Sequence, residues 1–129
     1  MGDAGENTEF EKIKFVVNQV IFEEGEAGDG AYMITEGTVA IRKGVRGSNP
    51  HTLAELNKGE IIGEMALADG SPRMASAVAT SEVTAIRISC DAFYNRLETM
   101  DPTMQGVMKL MMKRVRDMAA EFMRQKERF

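Results

Sequence analysis

Ile62-Gly63-Glu64-Met65-Ala66-Leu67-Ala68-Asp69-Gly70-Ser71-Pro72-Arg73-Met74-Ala75-Ser76 reads as the end of a strand, a glycine, one short helical turn, a Gly-Ser-Pro break and an arginine entering the next strand. A glycine ahead of a helical turn leaves backbone N–H groups approachable, which suits an anion. Arg73 can return to the same spot, bringing a charge that does not titrate and a fork that matches phosphate. Glu64 repels anions, so its useful role there is to accept hydrogen bonds from hydroxyls such as those of a sugar. An anion cradle beside a hydroxyl acceptor describes a site for a sugar phosphate or nucleotide. The plain structural alternative is a salt bridge between Glu64 and Arg73.

Upstream of this stretch, short apolar runs alternate with glycine. Val20 and Phe22 flank Ile21, Tyr32 and Ile34 flank Met33, and Val39 and Ile41 flank Ala40. Period-2 patterns this short predict strands. Gly25, Gly28, Asp29-Gly30, Glu36-Gly37, Gly47-Ser48-Asn49-Pro50 and Lys58-Gly59 punctuate them as turns, and Gly25, Gly28, Gly37 and Gly59 are read as turn residues without ligand contact. Further strands are expected at Leu53–Leu56, Ala75–Ala79 and Glu82–Ile88. The pattern predicts a mainly β sandwich, jelly roll or barrel with added helices. Residues 1–12 read as a flexible N-terminal tail, 13–90 as the β body and 91–129 as C-terminal helices.

The first of these helices is expected over Asp91–Glu98, with Phe93 and Leu97 on one face and Ser89 or Asp91 as cap. Asp101-Pro102 opens a second, with proline in the first turn, where a missing N–H costs least. It is expected to run for about 25 residues, roughly 37 Å. Met104, Met108, Met111, Val115, Met118 and Phe122 follow the alternating four–three spacing of a coiled-coil seam. A second line of Val107, Leu110, Ala119 and Met123 widens the stripe, enough to pack on the β body as well. Two apolar lines favour a homodimer through this helix; the alternative is an amphipathic helix lying on its own domain.

The chain has 129 residues and a formal charge of −4. Residues 103–129 are basic, with Lys109, Lys113, Arg114, Arg116, Arg124, Lys126 and Arg128 against Asp117, Glu121 and Glu127. Placed on a helix, these read as a solvated face, and the acidity of the remainder opposes nucleic-acid binding. One cysteine, Cys90, excludes an internal disulfide framework or an iron–sulfur site and reads as a small packing residue. One histidine, His51, excludes a His-based metal centre or serine–histidine triad and reads as a loop residue. No catalytic nucleophile and base stand out, so the chain reads as not an enzyme, without a metal or cofactor. No apolar run approaches the ~20 residues that cross a bilayer, and the acidic N-terminus is not a secretory signal. A soluble, cytoplasmic domain is expected.

The stretch 62–76 resembles the phosphate-binding cassette of the cyclic-nucleotide-binding domains, the family of the bacterial catabolite activator protein and the kinase regulatory subunits. The likeness rests on Gly63-Glu64, a small and an aliphatic residue at Ala66 and Leu67, and Pro72-Arg73 followed by small residues. It extends to Gly25, Gly28, Asp29, Tyr32, Ile34, Gly37, Val39 and Gly59, and to Phe93 and the closing helices, so that it covers about residues 13–126. It implies a double-stranded β-helix, a jelly-roll-like β roll, followed by two C-terminal helices. By that likeness Arg73 pairs with the cyclic phosphate, Glu64 accepts the ribose 2′-hydroxyl, and Gly63 permits close approach. Ala66 and Ala75 offer backbone N–H groups, Met65 and Met74 complete the ligand site, and Leu67 packs.

Two positions depart from the family pattern. Ile62 stands where an aromatic residue is common, and Met74 stands where a small residue or threonine is usual. Threonine there accompanies guanine preference, so the resemblance implies cAMP ahead of cGMP. The reading reached is a regulatory sensor without a DNA-binding region, either a stand-alone domain or one domain of a longer protein, in which the long helix serves as both lid and dimer seam. The competing reading is a non-enzymatic interaction module that keeps the roll and the helical seam but not nucleotide binding.

Overall fold

The computed structural model describes residues 10–44 and 51–127, without side chains for 68, 69, 122, 123 and 125–127. The expected tail over 1–9, the Gly47–Pro50 turn, and the side chains of Phe122 and Met123 therefore lie outside the described residues.

Eight strands form two four-stranded antiparallel sheets. They are β1 (Glu11–Phe15), β2 (Val20–Phe22), β3 (Gly30–Glu36), β4 (Val39–Lys43), β5 (His51–Leu56), β6 (Ile61–Ile62), β7 (Ser76–Ala79) and β8 (Val83–Ser89). One sheet has the order β1-β8-β3-β6, the other β2-β7-β4-β5. The pairs β1–β8, β2–β7, β3–β6 and β4–β5 nest inside one another along the chain. This is the wrapping of a jelly roll.

The first strand begins at Glu11, inside the segment read as tail. In Glu11-Lys12-Ile13-Lys14-Phe15 the apolar alternation is confined to Ile13 and Phe15, and three charged residues mask it. Elsewhere the alternation holds. Tyr32, Ile34, Val39, Ile62, Ala77, Ala79, Val83 and Ala85 join Phe15 and Phe22 in the core between the sheets. The small residues at 77, 79 and 85 let the bulkier side chains interlock across a narrow interior.

Three helices complete the fold. The short α1 (Met65–Asp69) lies between β6 and β7, and α2 (Cys90–Leu97) and α3 (Pro102–Glu127) follow β8. The hydroxyl of Ser89 accepts from the N–H of Ala92, and so caps α2. Asp101 accepts from the N–H groups of Thr103 and Met104 at 2.9 and 3.1 Å, and so caps α3. A second apolar cluster forms on the outer face of the β1-β8-β3-β6 sheet. Here Ala31, Leu67 and Ile88 are covered by Phe10, Ile61, Ile86, Cys90, Phe93 and Met112.

The face of α3 that touches the domain differs in part from the one expected: Ala119 lies on it, but Val107 and Leu110 do not. Met112 packs against the cluster of Ala31, Leu67 and Ile88, with Met108 and Ala119 half-buried, whereas Val107 and Leu110 are exposed. Residues 108, 112 and 119 lie along one side of the helix, and 107 and 110 are rotated away from it. The seam residues Met104, Met111, Val115 and Met118 are likewise exposed, Met118 to 71%.

Candidate functional site

The cassette is folded onto itself around Gly63. Its φ is +75°, and a Cβ built there would lie 2.5 Å from the Arg73 Nη1. Only glycine meets both demands cheaply, since other residues strain at positive φ and would displace the guanidinium. The Gly63 carbonyl accepts from the N–H of Ala66 at 3.1 Å and from Arg73 Nη1 at 3.2 Å. The Ala66 N–H, one of the donors expected to face a ligand, is thus engaged within the cassette. Gly70, at φ +68°, ends α1 by donating its N–H to the Ala66 carbonyl.

Arg73 is 6% exposed and is a rare buried charge in this chain. Its guanidinium carbon sits 4.1 Å from the centre of the Phe22 ring, a cation–π contact. Its Nη2 lies 3.5 Å from Asp29 Oδ1, so the arginine is ion-paired with Asp29 rather than with Glu64. The buried Nε has no hydrogen-bond partner. Burial pulls the guanidinium's proton affinity down, and Tyr32 and Asp29 oppose that pull; an arginine so placed stays charged. Backbone pairing fixes its position, because the Arg73 N–H donates to the Glu26 carbonyl and its carbonyl accepts from Gly25, both at 2.8 Å.

A cavity of about 190 Å³ opens beside this guanidinium. Gly63, Glu64, Met65, Ala66, Arg73, Met74 and Ala75, the seven residues expected at the site, all line it. Apart from Ser71, the rest of its wall is apolar, from Phe22, Ile41, Leu56, Ile61, Ile62 and Pro72, with Ala119 of α3 closing one side. One cationic anchor in a largely apolar slot suits a ligand with an anionic end and a flat apolar body. Glu64 is half-buried at the N-cap of α1, and its side chain makes no capping bond. The carboxylate is therefore not consumed by the helix.

Spacing did not reveal Phe22, Asp29 and Ala119 as parts of this site. They come from β2, the β2–β3 loop and α3, which strand pairing and helix packing bring to the cassette. Gly28, read as a turn residue, has a tighter role. A Cβ there would lie 2.5 Å from the Ser71 carbonyl oxygen and 2.8 Å from the Ala66 Cβ, so the loop carrying Asp29 lies directly against the cassette. Among the described residues no group of His, Cys, Asp or Glu could hold a metal ion, and no helix is long and apolar enough to cross a membrane.

The sequence profile of the cyclic nucleotide-binding domain matches residues 12–100. This chain belongs to that family. As a cyclic nucleotide-binding domain it is 34% identical over 94 residues to the cAMP-dependent protein kinase regulatory subunit of Aspergillus fumigatus, covering 72% of this chain and 22% of the relative. It is 27% identical over 108 residues to the cyclic AMP receptor protein of Thermus thermophilus, covering 84% of this chain and 50% of the relative. The chain thus spans half or less of these curated relatives. Among solved structures, the half-site-occupied form of the EAL enzyme Bd1971 superposes with a TM-score of 0.74 at 34% identity, covering 86% of this chain and 99% of that one. The Thermus thermophilus catabolite activator protein superposes at 0.70 with 27% identity, covering 87% and 53%. The β roll with its closing helices is the fold of this family.

Proposed function

We propose that the chain is a sensor that binds a cyclic nucleotide in the cavity at Arg73, prefers cAMP to cGMP, and passes its state on through α2 and α3. The carrying observation is the buried Arg73 guanidinium, held against Phe22 with an unpartnered Nε at the edge of an apolar slot. A phosphate arriving there meets a desolvated, pre-oriented fork, and charge-assisted bonds are strongest in such surroundings. Glu64 on the same wall accepts from the ribose hydroxyl. The apolar wall of Ile41, Leu56 and Ile61 takes the base, and Met74 offers no hydroxyl to a guanine. The names of relatives support the ligand class: one is a cAMP-dependent kinase subunit, and structures of Bd1971 are described as bound to cAMP and to cGMP.

The coupling has a physical route. Ala119 borders the cavity, so an occupant of the base slot and α3 share a surface. An occupant that favours one position of α3 shifts the helix toward that position by its difference in affinity. The exposed row Met104, Met111, Val115 and Met118 supports a homodimer through α3. The same row supports the second reading, a dimerisation module that no longer binds nucleotide. Calorimetric titration with cAMP, cGMP and 5′-AMP separates the two. Micromolar or tighter binding, with cAMP first and 5′-AMP far weaker, is expected of the sensor. Absence of heat and of any thermal shift with both cyclic nucleotides leaves the dimerisation module.

A further inference from the structure

Arg87 lies outside the cassette, on β8, and faces Tyr32 in the β3–β8 register. Strand alternation places it on the side of Val83 and Ala85, which point into the core. A cation at the end of a core-facing row needs a partner, and this one lies beside two groups. It stands opposite Tyr32 on the neighbouring strand, and its Nη2 lies 3.1 Å from Asp29 Oδ2. The other oxygen of the same carboxylate, Oδ1, is the one 3.5 Å from Arg73 Nη2. One carboxylate is therefore shared between two arginines, with the shorter bond going to the arginine outside the site. Burial lowers the proton affinity of Arg87, but the neighbouring Tyr32 and Asp29 outweigh it and raise it overall.

We propose that Arg87 is a positioning residue for ligand binding: by holding Asp29, it loosens that carboxylate's grip on Arg73 and leaves the Arg73 fork available to the ligand's phosphate. The inference rests on the ligand assignment above. Asp29 and a bound phosphate compete for one guanidinium and repel each other, so whatever neutralises Asp29 favours the phosphate. Asp29 is well exposed, so water screens part of this effect and the expected change is moderate.

The test is a double-mutant cycle read by calorimetric titration with cAMP, in which a direct attraction between Arg87 and the phosphate would persist after Asp29 is neutralised. Arg87→Gln is expected to weaken binding about two- to fivefold, and Asp29→Asn to strengthen it by a similar factor. In the Asp29→Asn background, Arg87→Gln is expected to cost nothing measurable, and Arg87→Lys should restore part of the affinity in the otherwise unaltered chain. Melting curves select variants that retain the fold. An equal cost of Arg87→Gln in both backgrounds, or weaker binding by Asp29→Asn, overturns the inference and leaves the ligand assignment standing. Failure of the unaltered chain to bind cAMP removes both.

Discussion

The Tyr94 hydroxyl donates to the carbonyl of Leu67, joining α2 to the last turn of α1. One turn earlier on α2, the Cys90 thiol lies 3.4 Å from the Ala66 carbonyl. The last carbonyls of a short helix lack partners within it; α2 supplies Tyr94 to the Leu67 carbonyl and, four residues earlier, Cys90 as a second donor to the Ala66 carbonyl, which also accepts from Gly70. The cassette and the C-terminal helices are thus linked by polar contacts as well as by apolar packing. Tyr94→Phe keeps the ring, including its edge contact with Phe93, and removes the donor. The expected cost is about 1 kcal/mol, or a melting temperature about 3–5 °C lower. Amide exchange in 65–69 should accelerate more than in β3 or β8; uniform acceleration would show that the bond is not a local tie.

Arg73→Leu removes the only buried cation at the cavity. cAMP affinity is expected to fall on the order of tenfold to a hundredfold or more, as for loss of a charge-assisted pair. Arg73→Lys keeps the charge without the planar fork or its stacking on Phe22, and should recover little of the loss. Titration of both variants with cAMP checks the pair, and unchanged affinity in Arg73→Leu would place the ligand elsewhere.

Gly63→Ala is a large change despite its single added carbon. It strains a φ of +75° and sets a methyl 2.5 Å from a guanidinium nitrogen. A loss of about 1–2 kcal/mol in denaturant unfolding is expected, with weaker cAMP binding because Arg73 must shift. Gly59, at φ +91°, also lies in the left-handed region but has open space around it, so Gly59→Ala should show the strain without the loss of binding.

The exposed face of α3 gives a test independent of the pocket. Met111→Glu with Met118→Glu places two charges on the proposed seam. Light scattering at tens of micromolar should change from dimer to monomer, while the 190 Å³ cavity, which neither residue lines, is left intact. A chain that is already monomeric before mutation would refute the seam.

Glu24 links the β2–β3 loop to β4. Its carboxylate accepts from the Gly44 N–H at 3.0 Å and pairs with Lys43 at 3.1 Å. The Gly44 bond is the main influence holding it below the ordinary glutamate range, with partial burial opposing and Lys43 assisting. Because the folded value is depressed, the unfolded chain binds more protons as acid is added. This stabilisation is present above the ordinary glutamate range and is lost as pH falls through the folded value. Glu24→Gln should flatten the acid limb of the stability–pH curve, measured by urea unfolding at stepped pH.

The site was legible in the sequence to the extent that it is local. Gly63, Glu64 and Arg73 lie within one short stretch, and glycine, carboxylate and guanidinium each announce their chemistry. Phe22 and Asp29 reach this guanidinium, and Arg87 reaches Asp29, only through strand pairing and loop packing, which spacing does not encode. The strands were legible where apolar residues alternate with weakly polar ones. In β1 the charges of Glu11, Lys12 and Lys14 hid the same rhythm. On α3 a line drawn through Val107 and Leu110 missed the true packing side, because Met112 belongs to neither of the two rows first recognised.

The nested strand pairs also bear on the order in which the molecule is made. Glu11 must meet Arg87, and Val20 must meet Val78, so the strands of the roll that are made first wait for its last ones before either sheet closes. The inner β4–β5 hairpin closes a short loop, whereas the outer pairs close long ones, and such distant contacts form slowly. Phe22 and Asp29 come from one side of that closure and Arg73 from the other. Newly made chains therefore acquire the pocket late, and until then the core-facing strands of the roll stand open to chaperones and to one another.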